Sequence, residues 1–170
     1  IIRYLMNRGE SPAFLSGIFQ RLRDDKFMST DFEYTTHYSV LKRECLDYLV
    51  GSSSSTSGCF LDLTFGGGGH SSAILDSDPK FNMVAVDQDP EAIKNGQIVV
   101  KKYYPRLQLL DMSFDQFPDY FHENRESMGL VPPDGFQGIL MDLGVSSHHF
   151  DSGERGFSFR YDSQLDMRMD

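Results

Sequence analysis

The chain contains no tryptophan, only two cysteines, and no apolar run approaching the roughly 20 residues that a bilayer-spanning helix requires. No transmembrane helix is therefore expected, and no basic-then-apolar leader opens the sequence. Cys45 and Cys59 are too few for a disulfide framework and lack the CxxC spacing of redox and metal motifs. They read as small buried hydrophobes with reduced thiols, in a soluble, cytoplasmic protein. Positive charge is also scarce: 16 Lys and Arg face 25 Asp and Glu, for a net charge of -9. That balance speaks against adhesion to nucleic acid or an anionic membrane by charge alone. The first thirty residues are net +2 and the remainder net -11, so the acidity lies with the motifs described below.

What is present, 39% hydrophobic and 24% charged residues in 170, is the material of one globular domain. Cofactor-binding α/β domains often run longer, and the sequence opens on Ile1 and stops at Asp170 without tail-like composition. A segment of a longer protein, cut at both ends, is the expectation. Residues 1–30 read as an N-terminal extension, with an amphipathic helix over 11–26 (Leu15, Ile18, Phe19 and Leu22 on one face) and a plausible native start at Met28. Residues 31–142 form the core, and 143–170 begin a substrate-side loop or inserted region.

A helix over about 39–50 precedes the low-complexity loop GSSSSTSG at 51–58. Strands are then predicted at 59–65, 81–86, 106–110 and 136–142, with helices starting at His70, Pro90 and Ser113. Strands alternating with helices imply βαβ units, hence a mainly parallel, doubly wound Rossmann-like α/β sheet.

The strongest local signal is a strand, then Gly66 to Gly69, then a helix beginning at His70. Glycines let the chain turn sharply and bring backbone N–H groups against a polar or anionic ligand at a helix N-terminus. As a GxGxxG dinucleotide motif the run fails at its third position, where Ser71 stands. Asp62 two residues ahead of Thr64-x-Gly66-x-Gly68 better suits a nucleoside-type cofactor such as S-adenosylmethionine. Asp87 ends the second strand about 20 residues beyond the glycines, where a carboxylate accepts both ribose hydroxyls. Asp89 reads as the cap of the helix opened by Pro90. Phe114 stacks on adenine or belongs to the core. Asp142, at the end of the fourth strand, faces the same carboxyl edge as Gly66 and Asp87, between cofactor and substrate.

Together HYSVLKRECLDYL, FLDLTFGGGGHSSAIL, VAVDQDPEAI, GILMDLGVSS and RGFSFRYDSQLDMRMD resemble the ribosomal RNA small subunit methyltransferase H family, in order from His37 to Asp170. These are S-adenosylmethionine-dependent enzymes that methylate the exocyclic N4 of a cytidine in bacterial 16S rRNA. The resemblance implies that Gly68, Gly69 and His70 contact the cofactor, Asp87 holds the ribose, Phe114 packs by the adenine and Asp142 lies beside the methionine end. The family's SSPQ is Ser146-Ser147-His148-His149 here, so the contact implied for its glutamine falls to a ring nitrogen of His149. Adjacent histidines seldom converge on one metal, and no metal site is expected.

The residues present suit such chemistry. The cytosine N4 lone pair is delocalised into the ring, so a catalyst must accept an amino hydrogen and hold the nitrogen in line with the methyl. Asp142 takes that role by position, and neither cysteine sits at the cofactor edge as a nucleophile. Arg155, Arg160 and Arg168 suit phosphates, with Phe157 or Phe159 stacking on bases of 16S rRNA or the small ribosomal subunit. The resemblance implies a continuation beyond LDMRMD with an inserted helical region and further sheet strands, and the basic surface that an RNA partner demands is expected mostly there. The competing expectations are a nicotinamide-dependent oxidoreductase of the same fold class and a cofactor-binding fragment without catalysis.

Overall fold

Each apolar run that follows the serine-rich segment becomes a strand, and the amphipathic stretches between them become helices. The computed structural model describes residues 2–6, 39–51, 57–133, 135–144, 156–158, 160 and 162–164. Their order is β1 (Ile2–Met6), α1 (Lys42–Gly51), β2 (Gly58–Asp62), α2 (Gly69–Ser77), β3 (Phe81–Asp87), α3 (Pro90–Tyr103), β4 (Leu107–Asp111), α4 (Phe117–Asn124) and β5 (Gly138–Leu143). The helix expected over 11–26 and the middle of the GSSSSTSG loop lie outside the described residues. No described helix is long and apolar enough to cross a membrane.

The sheet order is β1-β5-β2-β3-β4. Strands β5, β2, β3 and β4 are mutually parallel, while β1 pairs antiparallel with β5 from Ile2 opposite Leu143 to Met6 opposite Ile139. The sequence predicts the four parallel strands and not the fifth, antiparallel one at the edge. From β2 the chain steps outward to β3 and β4, then returns to the far side of β2 for β5. Right-handed crossovers in opposite directions put their helices on opposite faces, which is what makes the sheet doubly wound.

Burial follows this topology. Every residue of β2 is buried, and so is nearly all of β3, as expected for strands covered on both faces. On one face Phe60, Met83, Ala85, Leu107 and Leu140 pack with Cys45 and Leu49 of α1, Ile74 and Leu75 of α2 and Tyr103 of α3. On the other Cys59, Leu61, Val84 and Val86 meet Phe117 of α4 and Met128 beyond it. Both cysteines are buried free thiols, and burial pushes the Cys59 thiol up to about 12, so it stays protonated and unreactive.

Element ends differ from the sequence-based boundaries for local reasons. The helix expected from about residue 39 begins at Lys42, because Leu41 adopts a left-handed φ of 56°. Strand β2 stops at Asp62, whose own carboxylate accepts from the Thr64 N–H at 3.1 Å and turns the backbone off the ladder. Helix α4 starts only at Phe117, with Pro118 in its first turn. Asp89 caps α3 as expected, accepting from the Glu91 N–H at 3.0 Å.

Phe65 lies between two glycines: a Cβ added at Gly68 in the loop, or at Gly96 in α3, would come within 2.6 Å of its ring. Arg106 closes the opposite end of the layer. Its Nη1 donates to the Leu75 carbonyl at 3.0 Å, the Asp78 carbonyl at 3.3 Å and the Phe81 carbonyl at 3.1 Å, joining the end of α2 to the start of β3. Arg106→Met keeps the apolar stem and removes these charged donors, and is expected to lower unfolding free energy by about 2–3 kcal/mol in chemical denaturation.

Candidate functional site

The site is assembled where strand order reverses, in the crevice at the carboxyl ends of β2 and β5, the usual ligand position in an open α/β sheet. After β2, Leu63 still donates its N–H to the Leu140 carbonyl of β5 at 2.9 Å, and Phe65 donates to the Val86 carbonyl of β3 at 3.0 Å. The chain then has to turn into α2 within a few residues. Gly66 and Gly68 make this turn with left-handed φ of 52° and 71°.

The four glycines serve different ends. Gly68 is pressed by the Phe65 ring, and a Cβ at Gly69 would collide with the Ser39 hydroxyl. Gly67 has no left-handed φ, and neither its Cβ position nor that of Gly66 has an atom within 4 Å among the described residues. Packing among the described residues makes no demand for glycine at 67, and α2 beginning behind it has no side-chain cap.

Asp62 is held by the chain itself. Only 1% exposed, it accepts from the Thr64 N–H and, through Oδ2, from the Ser71 hydroxyl at 2.7 Å. Burial raises its pKa, partly opposed by these two donors and by the charge of His70. Asp87 faces the loop, with Oδ2 accepting from the Gly66 N–H at 2.7 Å and Oδ1 from the Asp89 N–H at 2.9 Å. Each oxygen keeps a further lone pair for a ligand hydroxyl.

His70 and Asp142 complete the constellation. His70 is 8% exposed, and its Nε2 has no hydrogen-bond partner among the described residues. Asp142 Oδ2 stands 3.6 Å away on a side chain 26% exposed. A buried ring nitrogen without a partner, beside a partly open carboxylate, is a polar pair that a ligand can satisfy. Phe114 projects beyond β4 with 40% of its surface exposed, so an adenine-stacking face is available and the core alternative is not taken.

Gly68, Gly69, His70, Asp87 and Asp142 thus gather at one edge, with Phe114 beyond β4, whereas His149 lies outside the described residues. Arg155, Phe159 and Arg168 lie outside them too, and Arg160 is exposed. Of the two rings expected to stack on a base, Phe157 is 7% exposed and taken into the fold, which leaves Phe159, outside the described residues, as the one for that role. Sequence reasoning misses the Ser71 hydroxyl on Asp62 and the Thr64 hydroxyl on the Asp142 N–H. The small residue ahead of the glycines is the visible signal for Thr64.

A family model described as the MraW methylase family matches residues 34–170. The ribosomal RNA small subunit methyltransferase H of Nostoc punctiforme is 43% identical over 135 residues, covering 79% of this chain and 40% of that protein. The enzyme of the same name from Porphyromonas gingivalis is 43% identical over 141 residues, covering 82% of this chain and 40% of its own length. The chain therefore spans about 40% of the length of these curated relatives. Among solved structures, the precorrin-6y C5,15-methyltransferase from Geobacter metallireducens aligns with a TM-score of 0.42 at 15% identity, covering 59% of this chain and 50% of that one.

Two outcomes are expected of this geometry. Gly67→Ala should leave unfolding free energy within about 0.5 kcal/mol of wild type, while Gly68→Ala, strained and pressed by Phe65, should lose about 1–3 kcal/mol in the same denaturation assay. Because burial raises the Asp62 pKa, the stability it contributes is complete below the ordinary carboxyl value of 3.8 and is lost as pH rises through the folded-state value. The stability of wild type minus that of Asp62→Asn should accordingly fall with rising pH across the acid range.

Proposed function

Because the chain belongs to the MraW methylase family, we propose that the full-length protein transfers a methyl group from S-adenosylmethionine to the exocyclic N4 of a cytidine in 16S rRNA, in the cytoplasm. The observation that carries this is the convergence of the glycine loop, the Asp87 carboxylate and the His70 Nε2, without a hydrogen bond among the described residues, beside Asp142 on the switch-point edge of the sheet. An adenosine carrying an amino acid presents the complementary groups: ribose hydroxyls, an aromatic base and a polar chain.

Gly68, Gly69, His70, Asp87, Phe114 and Asp142 are the residues assigned to hold the cofactor, with His149 as a further contact from the following segment. Asp87 suits the ribose, since each of its oxygens has already taken one backbone N–H and is thereby fixed in direction. Phe114 offers an exposed ring for the adenine. His70 and Asp142 suit the methionine end, where one supplies a ring nitrogen and the other a carboxylate. When bound, S-adenosylmethionine supplies a methyl group on a positively charged sulfur, which keeps the bonding pair as the methyl leaves.

Asp142 accepts an N4 hydrogen of the cytidine, which localises the nitrogen lone pair for attack, and takes the released proton as the N–C bond forms. No covalent enzyme nucleophile is needed, in keeping with two buried cysteines. The small ribosomal subunit is the partner assigned, with exposed Arg160 suited to a phosphate. A nicotinamide dinucleotide is disfavoured because Ser71, at the third GxGxxG position, is fully buried and bonded to Asp62.

The test has two arms. S-adenosylmethionine, and not NAD, should raise the melting temperature. The full-length protein should methylate undermethylated small subunits at cytidine N4, read by mass spectrometry of RNA digests, with Asp142→Asn about a hundredfold slower or worse. Stabilisation by NAD alone, or full activity of the Asn variant, refutes the assignment.

A further inference from the structure

The Thr64 hydroxyl makes a bond that joins two strands across the reversal point of the sheet. The Asp142 main-chain N–H donates to Thr64 Oγ1 at 2.7 Å. One step earlier the backbone itself makes the link, from the Leu63 N–H to the Leu140 carbonyl. At Thr64 the β2 backbone is already turning toward the glycine loop, and a side-chain oxygen carries the connection to β5 one residue further. On the far side of the loop His70 Nε2 stands 3.6 Å from Asp142 Oδ2. The two residues that bracket Phe65 to Gly69 therefore meet the same aspartate, Thr64 at its main chain and His70 at its carboxylate.

We propose that Thr64 and His70 are positioning residues that set the Asp142 carboxylate for its acceptor role and tie its position to the conformation of the glycine loop. The proposal rests on the assignment of Asp142 given above. A hydrogen bond to the backbone fixes where the side chain starts, and the His70 ring nitrogen, 3.6 Å away and beyond hydrogen-bond distance, bounds where the carboxylate can swing; an acceptor's geometry must hold within fractions of an ångström. Because both supports come from the ends of one loop, the position of Asp142 follows the conformation of that loop. Among the described residues, the charged groups near this pair include Asp62 on β2, which interacts with His70, and Asp87 on β3, which acts on Asp62.

The experiment uses the full-length protein with Thr64→Val, which keeps the shape and removes the acceptor oxygen, and Thr64→Ser, which restores it. Without cofactor, the ring-nitrogen NMR resonances of His70 should move in the Val variant and return in the Ser variant. Affinity for S-adenosylmethionine, by calorimetry, should weaken in the Val variant and return in the Ser variant, because Asp142 and His70 are also assigned to the methionine end; saturating cofactor then isolates the effect on the rate. Single-turnover methyl transfer at saturating cofactor should drop about ten- to a hundredfold with Val and recover with Ser. In an Asp142→Asn background the Val substitution should cost nothing further, since both act through one group. Unmoved His70 resonances with wild-type rate, or an equal loss in the Asp142→Asn background, overturns the proposal. A wild type that binds no S-adenosylmethionine instead refutes the functional assignment, and the NMR comparison then still decides whether Thr64 positions the pair.

Discussion

Asp62 ends the central strand with its carboxylate almost wholly out of water, and the two donors that make this tolerable come from the two segments that follow. The Thr64 N–H bends the chain off the sheet, and the Ser71 hydroxyl ties down the first turn of α2. A buried carboxylate is costly unless it is hydrogen-bonded, so the loop between these donors has little freedom to move away from them. The glycine loop is therefore held at its root by an acid that faces inward. Its outer face, at Gly66 and Gly67, is left open, and its inner neighbour Asp87 reaches across from β3 to the Gly66 N–H.

Strand order then decides what this loop faces. Since β5 returns to the opposite side of β2 from β3, the segments after β2 and β5 leave the sheet side by side, still joined by the Leu63–Leu140 and Thr64–Asp142 bonds, while β3 supplies the flank. Asp87 and Asp142 arrive on either side of the glycines by topology alone. One set of crossovers thus gives the two carboxylates different surroundings. Asp87 is fixed by backbone donors from the loop and from its own strand end, whereas Asp142 stands beside a ring nitrogen with a quarter of its side chain open. On the proposed function, one sheet edge takes a ribose at Asp87 and an amine at Asp142.

Much of this frame is readable in the residues. Apolar runs of strand length, Pro90 behind Asp89, and an acid about 20 residues after the glycines each have a local cause and a local signature. The internal use of Asp62 is less legible, because the letter for aspartate does not say whether its hydrogen-bond donors belong to the chain or to a ligand. Ser71 reads as a missing glycine, when its hydroxyl is the donor that the buried acid requires. The Thr64–Asp142 bond joins residues 78 apart, and the antiparallel pairing of β1 with β5 spans still more; neither leaves a periodicity. His70 is reached only through family resemblance, since a single histidine at a helix start carries no pattern of its own. Phe157 is misread because aromatic side chains serve cores and stacking surfaces equally well, and only burial separates the two.

The ring of Phe65, lodged between Gly68 of the loop and Gly96 of α3, has a consequence for how this fold can change over time. The ring bars a side chain at both glycines, together with Leu109 at Gly96 and the left-handed φ at Gly68, and it cannot shrink without opening a void between loop and helix. The three positions form one unit of inheritance, although 28 residues separate the two glycines in the chain. A lineage that drifts at one of them must pass through a less stable intermediate before the others can follow, so the descent of the loop is bound to that of a helix outside the ligand-facing edge.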